Sequence, residues 1–273
     1  MRGRRVSRNP LGRRAEHRRG RAVLAGPAAL ALGLIVVPIL ALLARIDWSQ
    51  LPRHLSAPGV AAALRLSALT ATITVVVAIV LGTPLAWLLA RSRHPATRWV
   101  RAVVTVPLVL PPVVGGVALL MAYGRRGVVG GVLFEAFGWQ VPFTTVAVVL
   151  AEIFVAMPFY VVAVEGALRG VDERYDQVAA TLGASPWRTL VRVALPMAWP
   201  GVAAGAALAW ARALGEFGAT ITFAGNFSGT TQTAPLAVYT ALESDPQAAL
   251  ALSVTMLGVC VGVLGALRGR WAR

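Results

Sequence analysis

The chain has 273 residues, of which 57% are hydrophobic and 14% charged, with a mean hydropathy of +0.70. That composition excludes a water-soluble globular domain and points to a chain that crosses a bilayer several times. The formal charge of +15 rests on arginine alone, because lysine is absent, and the single cysteine, Cys260, excludes a disulfide framework and a cysteine-based metal site.

Nine arginines lie in residues 1–21. This stretch lacks apolar periodicity and reads as a disordered cytoplasmic tail against anionic lipid. Its position beside an apolar run argues against nucleic acid as a partner. That run, Ala22–Ala44, exceeds the roughly 7–15 apolar residues of a signal peptide, and no small-x-small site follows it. It reads as an uncleaved first span, with an outer loop to residue 58.

A helix needs about 20 apolar residues to cross a hydrocarbon core of roughly 30 Å. Five further candidates fall in a core of residues 59–267: Val60–Ala90, Val100–Tyr123, Phe143–Leu168, Met197–Ala213 and Ala248–Leu267. A basic tail, 268–273, closes the chain. The expected fold is all-α, with six transmembrane helices. Val60–Ala90 would be roughly 46 Å long, so it tilts, reaches into water, or breaks at Gly82-Thr83-Pro84. The next candidate carries Pro107, Pro111, Pro112, Gly115 and Gly116. These weaken the helix and free carbonyls, either to line a pathway or to make a packing kink. Gly201-x-x-x-Gly205 and Gly258-x-x-x-Gly262 allow close helix contact.

Arginine placement gives the orientation. With the N-terminus inside, the tail, residues 91–101, 169–192 and 268–273 hold nine, four, four and three arginines on the cytoplasmic side. The outer loops keep only Arg45, Arg53, Arg125 and Arg126. Both termini are then cytoplasmic.

So is the polar loop 169–196, which holds Asp172, Glu173, Arg174, Asp176, Arg188 and Arg192 and is too charged for hydrocarbon. Tyr175–Leu182 reads as a short helix stopped by Gly183. Ser185 then caps a second helix with Pro186 at its first position, running through Val193 and ended by Pro196 and Pro200. The product is an elbow shaped to dock in a groove on a soluble partner. The run Gln177-Val178-Ala179, then Gly183, then Val193-Ala194-Leu195-Pro196 resembles the EAA loop of ABC importer permeases. Gln177 and Val178 stand where that family has Glu and Ala. The resemblance implies that Gln177, Val178, Ala179, Ala180, Gly183 and Ala184 in the first arm couple to a separate ATPase. In the second arm it implies the same of Ser185, Pro186, Val193, Leu195 and Pro196.

Charges inside spans mark function or pairing. Glu152 lies in the middle of the fourth candidate, Glu165 near its cytoplasmic end, and Arg65 early in the second. Arg212 and Glu216 are four apart, so on a helix they share a face and can pair, as a structural bridge or as polar lining of an anion path. The fifth span is expected to continue irregularly through Gly215-Glu216-Phe217. The run Arg212 to Thr220, then Gly225-Asn226, Thr231-Gln232-Thr233 and Pro235-Leu236-Ala237-Val238-Tyr239 resembles molybdate permeases, with sulfate/thiosulfate permeases as the alternative. This likeness covers roughly residues 60–265.

The resemblance implies an ABC importer permease of the type I fold in the bacterial cytoplasmic membrane, moving molybdate or tungstate. It implies a homodimer around one pathway, ATPase subunits that carry ATP and Mg, and an extracytoplasmic oxyanion-binding protein. No cofactor is expected on this chain. Candidate pathway residues are Arg212, Glu216, Pro111 and Pro112, with Thr220, Thr222 and Asn226 as neutral donors suited to an oxyanion.

Other classes fit less well. Without lysine the chain cannot form a P-loop, and His17, His54 and His94 are too scattered for a metal cluster or a nucleophile–histidine pair, so no catalytic residue is assigned. A stand-alone secondary anion transporter would call for an internal repeat or a proton relay, and Glu152 is the one mid-span acid. A scaffold would not need the elbow.

Overall fold

The computed structural model describes residues 10–271, and among them every element is helical. Two compact units divide the chain at Trp48–Ser49. The first unit holds α1 (Pro10–Arg45), whose apolar part, Leu24–Arg45, is 22 residues long and long enough to span a bilayer. The helix starts well before the expected Ala22, so residues 10–21 are helical and not irregular. Arginine, alanine and leucine, frequent there, are strong helix formers. The expected disorder of residues 1–9 lies outside the described residues.

The second unit runs through α2 (Leu51–Ser56), α3 (Pro58–Arg91), α4 (Thr97–Val109), α5 (Pro112–Tyr123), α6 (Gly130–Phe137) and α7 (Thr145–Arg169). It continues through α8 (Arg174–Thr181), α9 (Pro186–Thr189), a π turn (Leu190–Ala194) and α10 (Leu195–Leu214). It ends in α11 (Gly218–Phe223), α12 (Ala234–Ser244) and α13 (Pro246–Trp271). Among the described residues, five helices or helix runs are long and apolar enough to cross a membrane. The sixth expected span exists only as the pair α4–α5, bent by 117°. Leu110 has the extended backbone that a residue before proline prefers, and the helix restarts with Pro112 in its first turn.

Helix α7 is the axis of this unit. Thr144 caps it, accepting from the Ala147 N–H at 3.2 Å, and α3, α4, α5, α10 and α11 all pack against it. Small residues bring the neighbours close. A methyl group on Gly82 of α3 would lie 2.9 Å from the Tyr160 ring, and one on Gly205 of α10 would lie 3.1 Å from Ala163 Cβ. Gly201 sits directly on Ala167, leaving no room for a side chain. The Gly201/Gly205 pair thus serves contacts within the chain, whereas Gly258 and Gly262 of α13 face open space. Helix α3 runs unbroken past Gly82-Thr83-Pro84. Its Thr83 hydroxyl and the Tyr160 hydroxyl are 2.6 Å apart, and the close seat on α7 accompanies a helix that continues through its proline.

Candidate functional site

The polar loop folds as a two-armed elbow. Asp172 Oδ1 accepts from the Arg174 N–H at 2.9 Å and starts α8. The helix ends in paired bonds: the Ala184 N–H donates to Ala179 C=O and the Gly183 N–H to Ala180 C=O, both at 3.0 Å. That pattern needs a left-handed residue after the cap, and Gly183 supplies it with φ +78°. Ser185 is extended, its Oγ accepting from the Arg188 N–H at 3.4 Å, with Pro186 next in line.

The second arm departs from expectation. It does not stop at Pro196 or Pro200 but passes through the π turn straight into α10, so the fifth span begins at Pro186. A π turn ahead of Pro196 loosens the ladder where proline removes a donor, and the helix continues. The elbow is therefore one piece with a membrane helix.

Ala179, Thr189, Leu190 and Ala194 are buried and seat both arms on the body; Val193 and Leu195 are half-buried. Gln177, Val178, Ala180, Ser185, Pro186 and Pro196 face outward. Leu182 is 83% exposed and Trp187 65% exposed, on a segment otherwise rich in charge. Two large apolar side chains thus stand out on either side of the Gly183–Ser185 turn, as at surfaces that meet a partner.

Ion pairs bind this elbow to the helices behind it. Arg91, at the end of α3, donates from Nε to Asp176 Oδ2 at 2.6 Å and from a terminal nitrogen to Val171 C=O at 3.1 Å. Arg101 of α4 donates to Glu165 Oε1 at 2.9 Å and to Leu89 C=O at 3.2 Å, and Arg169 lies 2.8 Å from the same Glu165 oxygen.

Two of the pathway candidates, Pro112 and Thr222, lie where α5 meets α11. A methyl group on Gly116 would lie 2.7 Å from Thr222 Cβ, and one on Gly218 would lie 2.8 Å from Pro112 Cβ. Arg212 pairs with Glu216 at 2.7 Å, and the other end of Glu216 receives the Ala219 N–H at 2.8 Å, which starts α11. Gly215-Glu216-Phe217 forms the expected irregular link. The three neutral donors differ. The Thr222 hydroxyl donates to Gly218 C=O at 2.8 Å and Asn226 Nδ2 to Thr240 at 3.0 Å, whereas the buried Thr220 hydroxyl has no hydrogen-bond partner. Pro111 and Pro112 are exposed at the bend, so both nominated regions, far apart in sequence, share one contact.

The family of binding-protein-dependent transport system inner membrane components matches residues 82–273, which take in the bend, the elbow and the Gly116–Gly218 contact. The chain belongs to this family. It is accordingly a multi-pass inner membrane permease. A protein of Mycobacterium bovis named molybdenum transport system permease protein ModB is 46% identical over 87% of this chain and 90% of its own length. One of the same name from Escherichia coli is 39% identical over 77% of this chain and 91% of its own. The fold matches a chain in the crystal structure of a bacterial alginate ABC transporter with its periplasmic protein, with a TM-score of 0.69, 14% identity and 90% of each chain covered.

The permease also holds polar groups that the sequence did not bring together. Glu152 of α7 is buried and accepts from Thr70 at 2.7 Å and Thr74 at 2.9 Å, both on α3. Thr70 and Thr74 are four apart, a one-face spacing that was available in the sequence. Arg91 and Asp176 gave no such signal, because they meet across 85 positions.

Proposed function

We propose that this permease is the membrane-spanning subunit of an ATP-driven importer of molybdate, with tungstate as an equivalent cargo, working as a homodimer around one pathway. The observation that carries the proposal is the elbow, a rigid two-armed turn exposing Leu182 and Trp187 and continuous with α10. Each elbow seats in one ATPase subunit, which holds ATP and Mg, and a binding protein delivers the anion from the other side. The periplasmic protein bound to the alginate transporter supports such a partner. The names of the relatives support molybdate as cargo, and the arginine distribution supports cytoplasmic termini and a cytoplasmic elbow.

Closure of the ATPases pushes on the elbow, and the unbroken second arm passes the displacement to α10, to the Arg212–Glu216 link and to α11. ATP acts through its different affinity for the two conformations. Turning an inward population of 99:1 into an outward one of 1:99 takes about 5.5 kcal/mol of that difference. Arg212 already holds Glu216, so this arginine is not a free cation that would trap the dianion. The unpartnered Thr220 hydroxyl is a neutral donor that binds weakly enough to release.

The test is uptake of labelled molybdate into proteoliposomes holding the permease, its ATPase and its binding protein. ATP-dependent uptake blocked by excess tungstate but not by excess sulfate is expected. Competition by sulfate would move the cargo to the sulfate/thiosulfate class. Uptake by the permease alone under a proton gradient would refute the ABC mechanism and favour a secondary anion transporter.

A further inference from the structure

The second arm of the elbow runs into α10, whereas the first arm, α8, follows α7 in the chain and does not adjoin the broken span α4–α5 in sequence. Side chains bridge that gap. Asp176 of α8 holds Arg91 at the end of α3, and both side chains are mostly buried, 19% and 12% exposed. Two residues before Arg91, Leu89 C=O receives Arg101 from the start of α4, and Arg101 also holds the buried Glu165 of α7.

Helix α4 has no fully buried side chain of its own, and Val103 and Val109 stand exposed. Its Val104 packs against the core, and Arg101 is its polar tie to α3 and α7, with the Leu110–Pro111 bend at its other end. Beyond that bend lies α5, which meets α11 through Gly116 and Gly218. The arms thus lead to opposite sides of one contact: α8 through the arginines and α4 to α5, and α9 through α10 to α11.

We propose that Arg91–Asp176 and Arg101–Glu165 form a strut that carries elbow motion to the α4–α5 bend, and that it sets how much anion each ATP moves. This rests on reading the elbow as the ATPase docking loop. Arg91–Asp176 is the better shielded of the two, whereas in the second pair Glu165 is buried and Arg101 is 36% exposed. A charge withdrawn from water holds its partner, because separating them leaves it desolvated and unpaired. Arg93–Glu173 joins the same two segments at 2.9 Å, but with 86% and 45% exposure it is solvated and weakly held. It is the natural control.

The experiment reconstitutes the full complex and measures anion transported per ATP hydrolysed, using molybdate, or sulfate if that is what the wild type carries. Arg91→Gln and Asp176→Asn are each expected to lower this ratio about tenfold, within the usual range of coupling between sites, while ATP hydrolysis persists. The exchanged pair Arg91→Asp with Asp176→Arg is expected to recover part of the loss, and Arg93→Gln to leave the ratio unchanged. Rescue by exchange separates a strut from a merely structural role. If Arg91→Gln fails to assemble, Asp176→Asn, a change of nearly equal size, carries the test.

Wild-type ratios in both single variants would overturn the strut. So would an exchanged pair no better than either single change, or hydrolysis lost together with transport, which would place Asp176 in docking. A wild-type complex in which ATP hydrolysis is never tied to the permease refutes the docking reading itself, before any variant is compared.

Discussion

Replacing Gly183 tests the elbow with little disturbance to the membrane body. The residue is left-handed at φ +78° and closes the two bonds to Ala179 and Ala180 that end α8. An L residue in that conformation costs about 1–2 kcal/mol. Nothing lies within 4 Å of where a side chain would begin, so Gly183→Leu adds no clash inside the permease. Against a typical stability of about 5–15 kcal/mol the fold survives. At roughly 2–4 °C per kcal/mol for a unit of this size, the melting temperature falls by about 2–8 °C. The new side chain projects outward beside Leu182, into the surface proposed to seat in the ATPase.

The assay pairs melting in detergent with ATP hydrolysis and uptake in proteoliposomes. Gly183→Leu is expected to melt slightly lower, to hydrolyse ATP, and to lose uptake. Two companions separate the causes. Gly183→Ala brings the backbone cost with little bulk, whereas Gly183→Asn brings bulk in a residue that tolerates the left-handed region. Uncoupling by Leu and Asn but not Ala assigns the effect to the docking surface, and uncoupling by Leu and Ala but not Asn assigns it to the turn. Normal uptake per ATP in Gly183→Leu would refute the reasoning and remove the elbow from the mechanism.

Two further outcomes follow from the packed interior. Glu152→Ala removes both acceptors that join α7 to Thr70 and Thr74; at about 0.6–1.7 kcal/mol per interhelical bond it should destabilise by about 1–3 kcal/mol. Melting in detergent reads this directly, and an unchanged midpoint would deny these bonds a role. Gly116→Val would put carbon 2.7 Å from Thr222 Cβ and 2.8 Å from Ala219 C=O, so α5 and α11 must separate at a cost of about 1–3 kcal/mol. Transport should fall at temperatures where the protein remains folded; full activity would show that the α5–α11 contact does not govern passage.

What was legible in the sequence had local causes. Apolar length located the spans, Gly183 and Ser185-Pro186 marked the two ends inside the elbow, and the four-residue spacing of Arg212 and Glu216 foretold their pair. What was not legible depended on neighbours. Proline at 84 and at 196 sits in unbroken helix, while proline at 111 and 112 marks a 117° bend. The difference is packing: Pro84 follows Gly82 and Thr83, which are pressed against Tyr160, and Pro196 follows a π turn, but the residues around Pro111 are exposed. The family resemblance makes Thr222 a donor to an anion, yet its hydroxyl serves its own helix, a common use of threonine that spacing does not reveal.

The departures from the family pattern acquire a physical sense once the elbow is seen. Gln177 and Val178, the two altered positions, are exposed, while the unaltered Ala179 next to them is buried. Ala179 must be small because it seats α8 against the body, and its carbonyl closes the turn through Ala184. Positions 177 and 178 meet neither demand. A glutamate at 177 would add charge to a segment that already carries Asp172, Glu173 and Asp176, of which only Asp176 has a mostly buried arginine to offset it. Glutamine keeps the reach and the hydrogen-bonding capacity without that charge, so the facing group on an ATPase need not be a cation. Constraint from within the chain thus falls on Ala179 and Gly183, whereas the exposed Gln177, Val178, Leu182 and Trp187 are left to meet the proposed ATPase.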